Sequence, residues 1–227
     1  MSKYLETPAI GRRCFRVPET QARIGERSRQ SVTQYVPHSR KRTPEEIGAE
    51  GERRVVALLA KSEVTALHNI IVHGKRGLTE IDHLVLTTSC IFVIETKNYS
   101  GSIEGDPDNE RWTIAYEEKE VSVYNPIRQN KGHLRAVRHI VADRSVNLES
   151  LVAMVGDAEL SDEIWTAKPV VDLEQLYVQV QRANEDTPGL SDAILAAWAR
   201  IEAAARRGEP FRAQHTAAVR AAKAAWG

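Results

Sequence analysis

Two charged residues close an apolar run near the middle of the chain, at Glu95 and Lys97. The run itself, residues 91–94, has the composition of a buried β-strand. Because side chains on a strand alternate between faces, Glu95 and Lys97 point the same way, about 6.6 Å apart along the strand. Charges at the end of an otherwise buried strand are expected at the rim of a cleft.

The preceding apolar run also carries an acid, because Asp82 stands at its start. If the two runs pair as a hairpin through the short turn 88–89, Asp82 and Glu95 lie near one end of the sheet. Two adjacent carboxylates repel, and a hard divalent cation removes that conflict. The spacing therefore predicts a metal site that uses Asp82 and Glu95, with Mg²⁺ or Mn²⁺ as the ion.

This arrangement suits one kind of chemistry. A metal ion held there polarises a phosphodiester and acidifies a bound water, while Lys97 orients that water and offsets charge on the transition state. The alternative is a surface ion pair between Glu95 and Lys97, worth at most about 1 kcal/mol. The acid at Asp82 and a misplaced helical acid, Glu52, favour the metal site.

Glu52 belongs to a helix that is predicted to begin after Thr43. The sequence Thr43-Pro44-Glu45-Glu46 is a capping box with proline at the first helical position, and the helix is expected to run to about Lys61. On its helical wheel Glu52 falls within the apolar arc, where a carboxylate is costly to desolvate. Glu52 is therefore expected to complete the metal shell directly or through water.

A second helix is predicted from Asn125-Pro126 to about residue 142. Gln129 lies at the margin of its apolar stripe, where it either holds a phosphate or the attacking water, or is an ordinary surface residue. His133 is interpreted as a solvated helix residue that could contact phosphate. His83 alternates to the face opposite Asp82 and is interpreted as a packing or supporting residue.

The remaining elements follow from periodicity and turn residues. Strands are predicted at 64–73, 80–87 and 90–97, then a β-meander over one side of the site at 102–104, 111–116 and 121–124, then strands near 151–155 and 168–171, a helix at 172–181, and two C-terminal helices broken at 208–210.

The bulk composition limits the class of protein. At 227 residues the chain can bury one core of ordinary domain size, and 42% hydrophobic and 27% charged residues place it among globular proteins. No stretch approaches the roughly 18 apolar residues of a membrane span, and the N-terminus lacks the apolar core of a signal peptide, so a cytoplasmic location without membrane contact is expected. Cys14 and Cys90 are far apart and indicate neither a disulfide framework nor a zinc site.

Charge is unevenly distributed along the chain. Residues 1–43 hold ten Lys or Arg against three Glu, a net charge of +7, and the remainder carries −7. A basic arm on an acidic body predicts contact with a polyanion, because neutralising phosphates releases counterions; the alternative is a solubilising tail. The residues predicted to bind nucleic acid are Arg40, Lys41, Arg42, Asn98 and Tyr99, although Tyr99 could also be a simple surface aromatic.

Taken together, these residues resemble the NERD family (nuclease-related domain), a branch of the PD-(D/E)xK nuclease superfamily. The matching pieces, between about residues 45 and 143, are Gly51-Glu52, His68-Asn69, Thr79-Glu80-Ile81-Asp82-His83, Ile94-Glu95-Thr96-Lys97-Asn98, Ser100-Gly101, Trp112, Asn125-Pro126 and Gln129. One departure is visible: the family usually has glycine just before the third strand, and here Ser89-Cys90 stands there.

The resemblance implies a restriction-endonuclease-like core, an α/β (α+β) fold with a mixed sheet flanked by helices. It implies DNA as substrate, Mg²⁺ as cofactor and an endonuclease type of deoxyribonuclease, with Asp82, Glu95 and Lys97 in the core catalytic positions and Glu52 and Gln129 supporting them. The expected division is an arm at 1–42, the nuclease domain at 43–185, and a C-terminal αα-hairpin at 186–227.

Two alternatives from other classes stay open. The first is a nucleic-acid-binding accessory protein whose nuclease-like fold lacks turnover, with the basic arm supplying affinity. The second is an interaction module, in which the C-terminal helices recruit a helicase-type partner or another copy of the chain.

Overall fold

The helix predicted from the capping box begins where expected, and it is the first element of the computed structural model, which describes residues 40–75, 77–185 and 189–226. Thr43 Oγ1 accepts a hydrogen bond from Glu46 N–H at 3.2 Å, and the Glu46 carboxylate accepts one from Thr43 N–H at 2.8 Å. Of the predicted arm, only residues 40–42 lie within the described residues.

The elements in chain order are α1 (Pro44–Lys61), β1 (Thr65–Gly74), β2 (Gly77–Leu86), β3 (Ile91–Lys97), β4 (Ser102–Glu104), β5 (Arg111–Ala115), β6 (Glu120–Tyr124), α2 (Pro126–Val141), β7 (Leu148–Met154), β8 (Glu159–Leu160), α3 (Asp162–Trp165), β9 (Val170–Val171), α4 (Leu173–Glu185), α5 (Asp192–Gly208) and α6 (Arg212–Trp226), with a 3₁₀ turn at Glu209–Phe211 before α6.

The main sheet has the strand order β1-β2-β3-β7-β9. Its first three strands are antiparallel, whereas β3, β7 and β9 are parallel to one another, so the predicted mixed sheet is confirmed. The β2–β3 turn closes with Thr87 N–H donating to the Cys90 carbonyl at 3.0 Å. No residue from 87 to 90, all of them described, has a positive φ, which explains why the turn does not need glycine.

Helices cover both faces of this sheet. On one face α1 and α4 bury Val55, Leu59 and Leu176 against Ile94 and its neighbours. On the other face α2 and α5 form a second apolar cluster with the opposite side of the same strands, which includes Val93. The predicted α/β class is therefore confirmed, and the charged end of β3 lies between two helical layers.

A smaller sheet has the order β6-β5-β4-β8. The meander of β4, β5 and β6 is confirmed, but β8 and α3 were not predicted. β8 has two residues and exists because it pairs in parallel with β4, a long-range contact that leaves no local pattern in the sequence. The sheet buries Ile103, Trp112 and Ile114 against Ile127 of α2.

The two predicted C-terminal helices are present as α5 and α6, with the predicted break at 208–210. The backbone at Gly208, Glu209 and Arg212 stays in the right-handed helical region, and a 3₁₀ turn joins the two helices. α5 buries Ile194 and Ile201 against β1 and α2, whereas α6 contacts β2. The apolar stripe of α5 is thus already covered by the same chain.

No helix in the described ranges combines the length and the apolarity needed to cross a membrane.

Candidate active site

The hairpin of β2 and β3 brings the two predicted metal ligands to the same level of the sheet. The register pairs His83 with Ile94, and its continuation sets Asp82 across from Glu95. The backbone N–H of Thr96 donates to Asp82 Oδ2 at 2.8 Å, which fixes this carboxyl group against β3. Strand pairing therefore produces the juxtaposition that the sequence predicted.

Glu95 is the most deeply buried acid of the site, with 1% of its surface exposed. Its Oε1 lies 2.5 Å from Lys97 Nζ. Burial alone would raise the pKa of Glu95, but the positive charge of Lys97 and the nearby His133 outweigh burial and lower it. Burial likewise disfavours the charged form of Lys97, yet the Glu95 carboxylate raises the pKa of the amine overall. The pair is therefore ionised, as a carboxylate and an ammonium.

The second oxygen of Glu95 is less satisfied. Its Oε2 lies 3.1 Å from His133 Nε2. This close contact does not have the geometry of a hydrogen bond, and neither buried atom has a hydrogen-bond partner among the residues that the structure describes. Because hydrogen bonds weaken steeply when misaligned, the hydrogen-bonding capacity of this buried oxygen is not saturated.

The pKa of Asp82 shifts in the opposite direction to the pKa of Glu95. Burial, and then the charge of Glu95, raise its pKa well above the ordinary value of 3.8. The Thr96 N–H and Lys97 oppose this effect without cancelling it. Asp82 therefore tends to hold a proton at a pH where its neighbour is charged, which is the conflict that a divalent cation relieves.

Glu52 approaches this group from α1. Its pKa is raised by burial and by the charges of Glu80 and Glu95, and a hydrogen bond to the Asn69 side chain acts in the opposite direction. Asn69 has a left-handed backbone, with φ of +50°, and lies across β1 and β2 from Asp82. The helical acid thus belongs to the same electrostatic cluster as the two strand acids.

A cleft of ≈ 960 Å³ opens at these strand ends. All five residues predicted to be catalytic line it, namely Glu52, Asp82, Glu95, Lys97 and Gln129. Asn98 and Tyr99 also line it, but Asn98 Nδ2 donates to the Ile47 carbonyl at 2.7 Å and so ties α1 to β3. The first turn of α1 borders the cleft, and the exposed residues Arg40, Lys41 and Arg42 directly precede that turn.

The sequence predicts a metal site on Asp82 and Glu95, with Glu52 as a ligand either directly or through water. Within residues 40–75, 77–185 and 189–226, no three His, Cys, Asp or Glu side chains are grouped closely enough to hold a metal ion. Glu95 contacts Lys97 through Oε1. Oε2 of Glu95 and the carboxyl group of Asp82 fit Mg²⁺, which often takes one or two carboxylates and completes its shell with water and phosphate oxygens.

The interpretation of His133 as a solvated residue was wrong. It is 7% exposed, and its Nδ1 is 3.0 Å from Thr79 Oγ1. Asn130, His133 and Val137 share one buried face of α2 at helical spacing. In the sequence, His133 is a polar residue among apolar residues at helical spacing. The same pattern identified Glu52.

His83 is a supporting residue, in agreement with its sequence interpretation. It is fully buried, with Nε2 3.1 Å from Thr96 Oγ1 and Nδ1 2.9 Å from His68 Nδ1. Burial, together with the proximity of His68, lowers the pKa of His83 to about 3, so the ring is neutral. Its contact with Thr96 supports the residue whose N–H holds Asp82.

The part of the chain that carries the cleft is similar to known proteins. The family model described as NERD, nuclease-related domain, matches residues 47–155, which confirms the predicted resemblance. An uncharacterized protein of Bacillus anthracis is 37% identical over 106 residues, 45% of this chain and 50% of that protein, so the chain spans about half the length of this relative. The crystal structure of a protein of unknown function aligns with 52% of this chain and with 50% of the other protein's chain. The sequence identity is 15% and the TM-score is 0.32.

Proposed function

We propose that this protein is a Mg²⁺- or Mn²⁺-dependent nuclease that hydrolyses phosphodiester bonds of DNA. The match of residues 47–155 to the nuclease-related domain model supports this proposal. The observation that carries the proposal is the convergence of Asp82 and Glu95 across two strands, with the Lys97 ammonium 2.5 Å from Glu95, inside one cleft.

The acids and the lysine have separate tasks in this proposal. Asp82 and Glu95 would hold the cation, and Asp82 would give up its proton to do so. The ion would act as a Lewis acid and would acidify a bound water. Lys97 is kept protonated by Glu95, so it can donate hydrogen bonds to the water or to the non-bridging phosphate oxygens as charge develops.

Three residues support this group. Glu52 adds negative charge from α1 and would bind the ion directly or accept a hydrogen bond from a water bound to it. Gln129, which is half-buried at the cleft, donates its amide to a phosphate oxygen. His133 lies against the second oxygen of Glu95 and restricts the orientation of that carboxylate.

Binding without hydrolysis is the second candidate function. It is favoured by one observation, that the described residues contain no ready set of three metal ligands. A polar cleft that the first turn of α1 borders could hold a nucleic acid without cutting it.

One experiment separates the two functions. Plasmid, linear duplex and single-stranded DNA are incubated with purified protein and Mg²⁺, Mn²⁺ or chelator. We expect metal-dependent cutting that falls about 100-fold or more in Lys97→Ala. Lys131→Ala, at an exposed position of α2 outside the cleft lining, is the matched control and should cut normally. Tight binding with no cutting by the unmodified protein would establish the second function.

A further inference from the structure

The smaller sheet presents an apolar surface to the same cleft that the acids line. Trp112 and Ile114 on β5 share a face, and Val123 and Val121 on β6 lie directly across from them. Tyr116, two residues beyond Ile114, extends the same side. We call Tyr116, Val121 and Val123, which all line the cleft, the apolar rim.

The apolar rim continues a buried face into solvent. Trp112 and Ile114 are 1% exposed and belong to the core, but Tyr116 is 38% and Val121 37% exposed. A strand that leaves the core is expected to change from apolar to polar side chains on that face. Here the face stays apolar where it meets the cleft, so it has a surface suited to an apolar ligand.

A cation accompanies the aromatic ring of this surface. Lys119 Nζ lies 5.7 Å from the centroid of Tyr116, and the Tyr116 N–H donates to the Lys119 carbonyl at 2.8 Å, which closes the turn between β5 and β6. The apolar rim therefore combines a π-face, aliphatic contacts and one positive charge. Single-stranded nucleic acids are bound by this combination, with bases stacked on aromatic rings and phosphates near basic groups.

The small number of lysines and arginines in the cleft argues against double-stranded DNA as the ligand of the apolar rim. A duplex hides its bases and presents phosphates, which proteins grip with several lysines or arginines. Among the described residues that line the cleft, the lysines and arginines are Lys97 and Lys119, and Lys97 is already paired with Glu95. An unpaired strand, in contrast, offers one phosphate to the acids and their cation while its bases meet the opposite wall.

We propose that the apolar rim binds the unpaired bases next to the scissile phosphate, so that single-stranded DNA is the preferred substrate. This inference rests on the proposed nuclease function for its orientation: the phosphate lies at Asp82 and Glu95, and the base stacks on Tyr116. Base stacking on an aromatic side chain tolerates any sequence, so the preference concerns strandedness and not base identity.

The test measures binding apart from cutting. In a Lys97→Ala background with Mg²⁺, fluorescence anisotropy compares a labelled single strand with a blunt duplex of the same sequence. Tyr116→Ala should weaken single-strand binding about tenfold and leave duplex binding nearly unchanged, whereas Tyr116→Phe keeps the ring and the affinity. Tyr177→Ala is the matched control, because Tyr177 is 40% exposed on α4 and does not line the cleft.

A second variant guards against a local folding defect at Tyr116. Val121→Asp places a carboxylate on the apolar rim and should also reduce single-strand binding selectively. Equal losses on both DNA forms, or no loss on either, would overturn the inference. So would a sedimentation experiment in which Tyr116→Ala converts a dimer into a monomer without changing DNA affinity, because a second copy would then cover the apolar rim.

The outcomes distinguish this inference from the proposed function. If the unmodified protein cuts no DNA with any metal but Tyr116→Ala still selectively loses single-strand binding, the nuclease proposal fails and the inference stands. If metal-dependent cutting is equal on single and double strands and is unaffected by Tyr116→Ala, the nuclease proposal stands and the inference fails.

Discussion

The two walls of the cleft differ in almost every physical property. Asp82, Glu95 and Lys97, here called the charged wall, lie at the ends of strands in the main sheet, and each has a partner in the same wall or its backbone. In the apolar rim, Tyr116 and Val121 are exposed, Val123 is half-buried against the core, and Lys119 lies over the Tyr116 ring. Burial strengthens electrostatic interactions, and exposure leaves room for variable ligands. The comparison suggests that the charged wall determines the rate of reaction and the apolar rim determines what binds.

The largest expected effect comes from breaking the charged wall. Glu95→Gln removes one metal ligand and the charge that keeps Lys97 protonated, so single-turnover cutting should fall about 10²–10³-fold. Single-strand binding should stay within about twofold, because the bases contact the other wall. Glu149→Gln, at an exposed position of β7, is the control. A fall in binding as large as the fall in cutting would show that the walls do not divide these tasks.

A smaller loss of activity is expected when a residue outside 47–155, the range that the family model matches, no longer supports the charged wall. Arg212 at the start of α6 reaches Glu80 Oε1 at 3.1 Å and the Asn69 carbonyl at 2.5 Å. Asn69 in turn bonds Glu52 and lies across from Asp82. Arg212 is therefore expected to act as a positioning residue, and Arg212→Ala should lower kcat about 10- to 100-fold with little change in KM.

The control for this change is Arg206→Ala, because Arg206 makes an exposed ion pair with Glu202 at 3.9 Å on α5. Arg212→Lys should restore little activity, since one ammonium cannot reproduce both contacts of the planar guanidinium. An unchanged kcat in Arg212→Ala would mean that α6 only covers the sheet edge.

Much of the charged wall could be predicted because it is local. The capping box at Thr43 begins α1, and the two-residue turn sets the register that brings Asp82 opposite Glu95. Helical periodicity placed Glu52 among apolar neighbours, and the structure finds it in the same acidic group. In these cases the residue pattern and the tertiary contact lie within one element or one hairpin.

The parts of the fold and of the site that were not predicted depend on contacts between elements that are distant in sequence. The contact of Arg212 with Asn69 joins α6 to β1, and β8 exists only through its pairing with β4. The apolar rim was not predicted because alternation on β5 and β6 looks the same whether a face enters the core or a cleft.

A matched pair of glycines in α1 tests how closely that helix must approach the charged wall. A Cβ at Gly51 would lie 2.7 Å from Asn98 Cβ and 2.9 Å from Val155 Cγ2, whereas a Cβ at Gly48 meets nothing within 4 Å. Gly51→Ala should therefore destabilise the fold by about 1–3 kcal/mol and displace Glu52. Gly48→Ala should stabilise it by up to about 1 kcal/mol through helix propensity. Chemical denaturation measures both, and equal effects would contradict the tight packing at Gly51.

The smallest expected effect concerns the proton on Asp82. The pKa of Asp82 is raised in the folded protein. The stability that protonated Asp82 contributes is therefore fully present below the ordinary value of 3.8, and it is lost as the pH rises through the raised pKa. Cutting should rise over that same window, since Asp82 must ionise to hold the cation.

Asp82→Asn removes the buried charge while the amide oxygen can still accept the hydrogen bond from Thr96. Without metal at pH 8 the variant should be more stable than the unmodified protein by about 1 kcal/mol, at the cost of function, and this gain should vanish at pH 4. Mg²⁺ should raise the Tm of the unmodified protein and not that of the variant, because only the former has a ligand whose charge the ion neutralises. Thermal melts at both pH values, with and without Mg²⁺, measure these changes in stability. An Asp82→Asn variant that is less stable than the unmodified protein at pH 8 would mean that Lys97 and Thr96 alone hold Asp82 as a carboxylate. The charged wall would then need no cation to balance it.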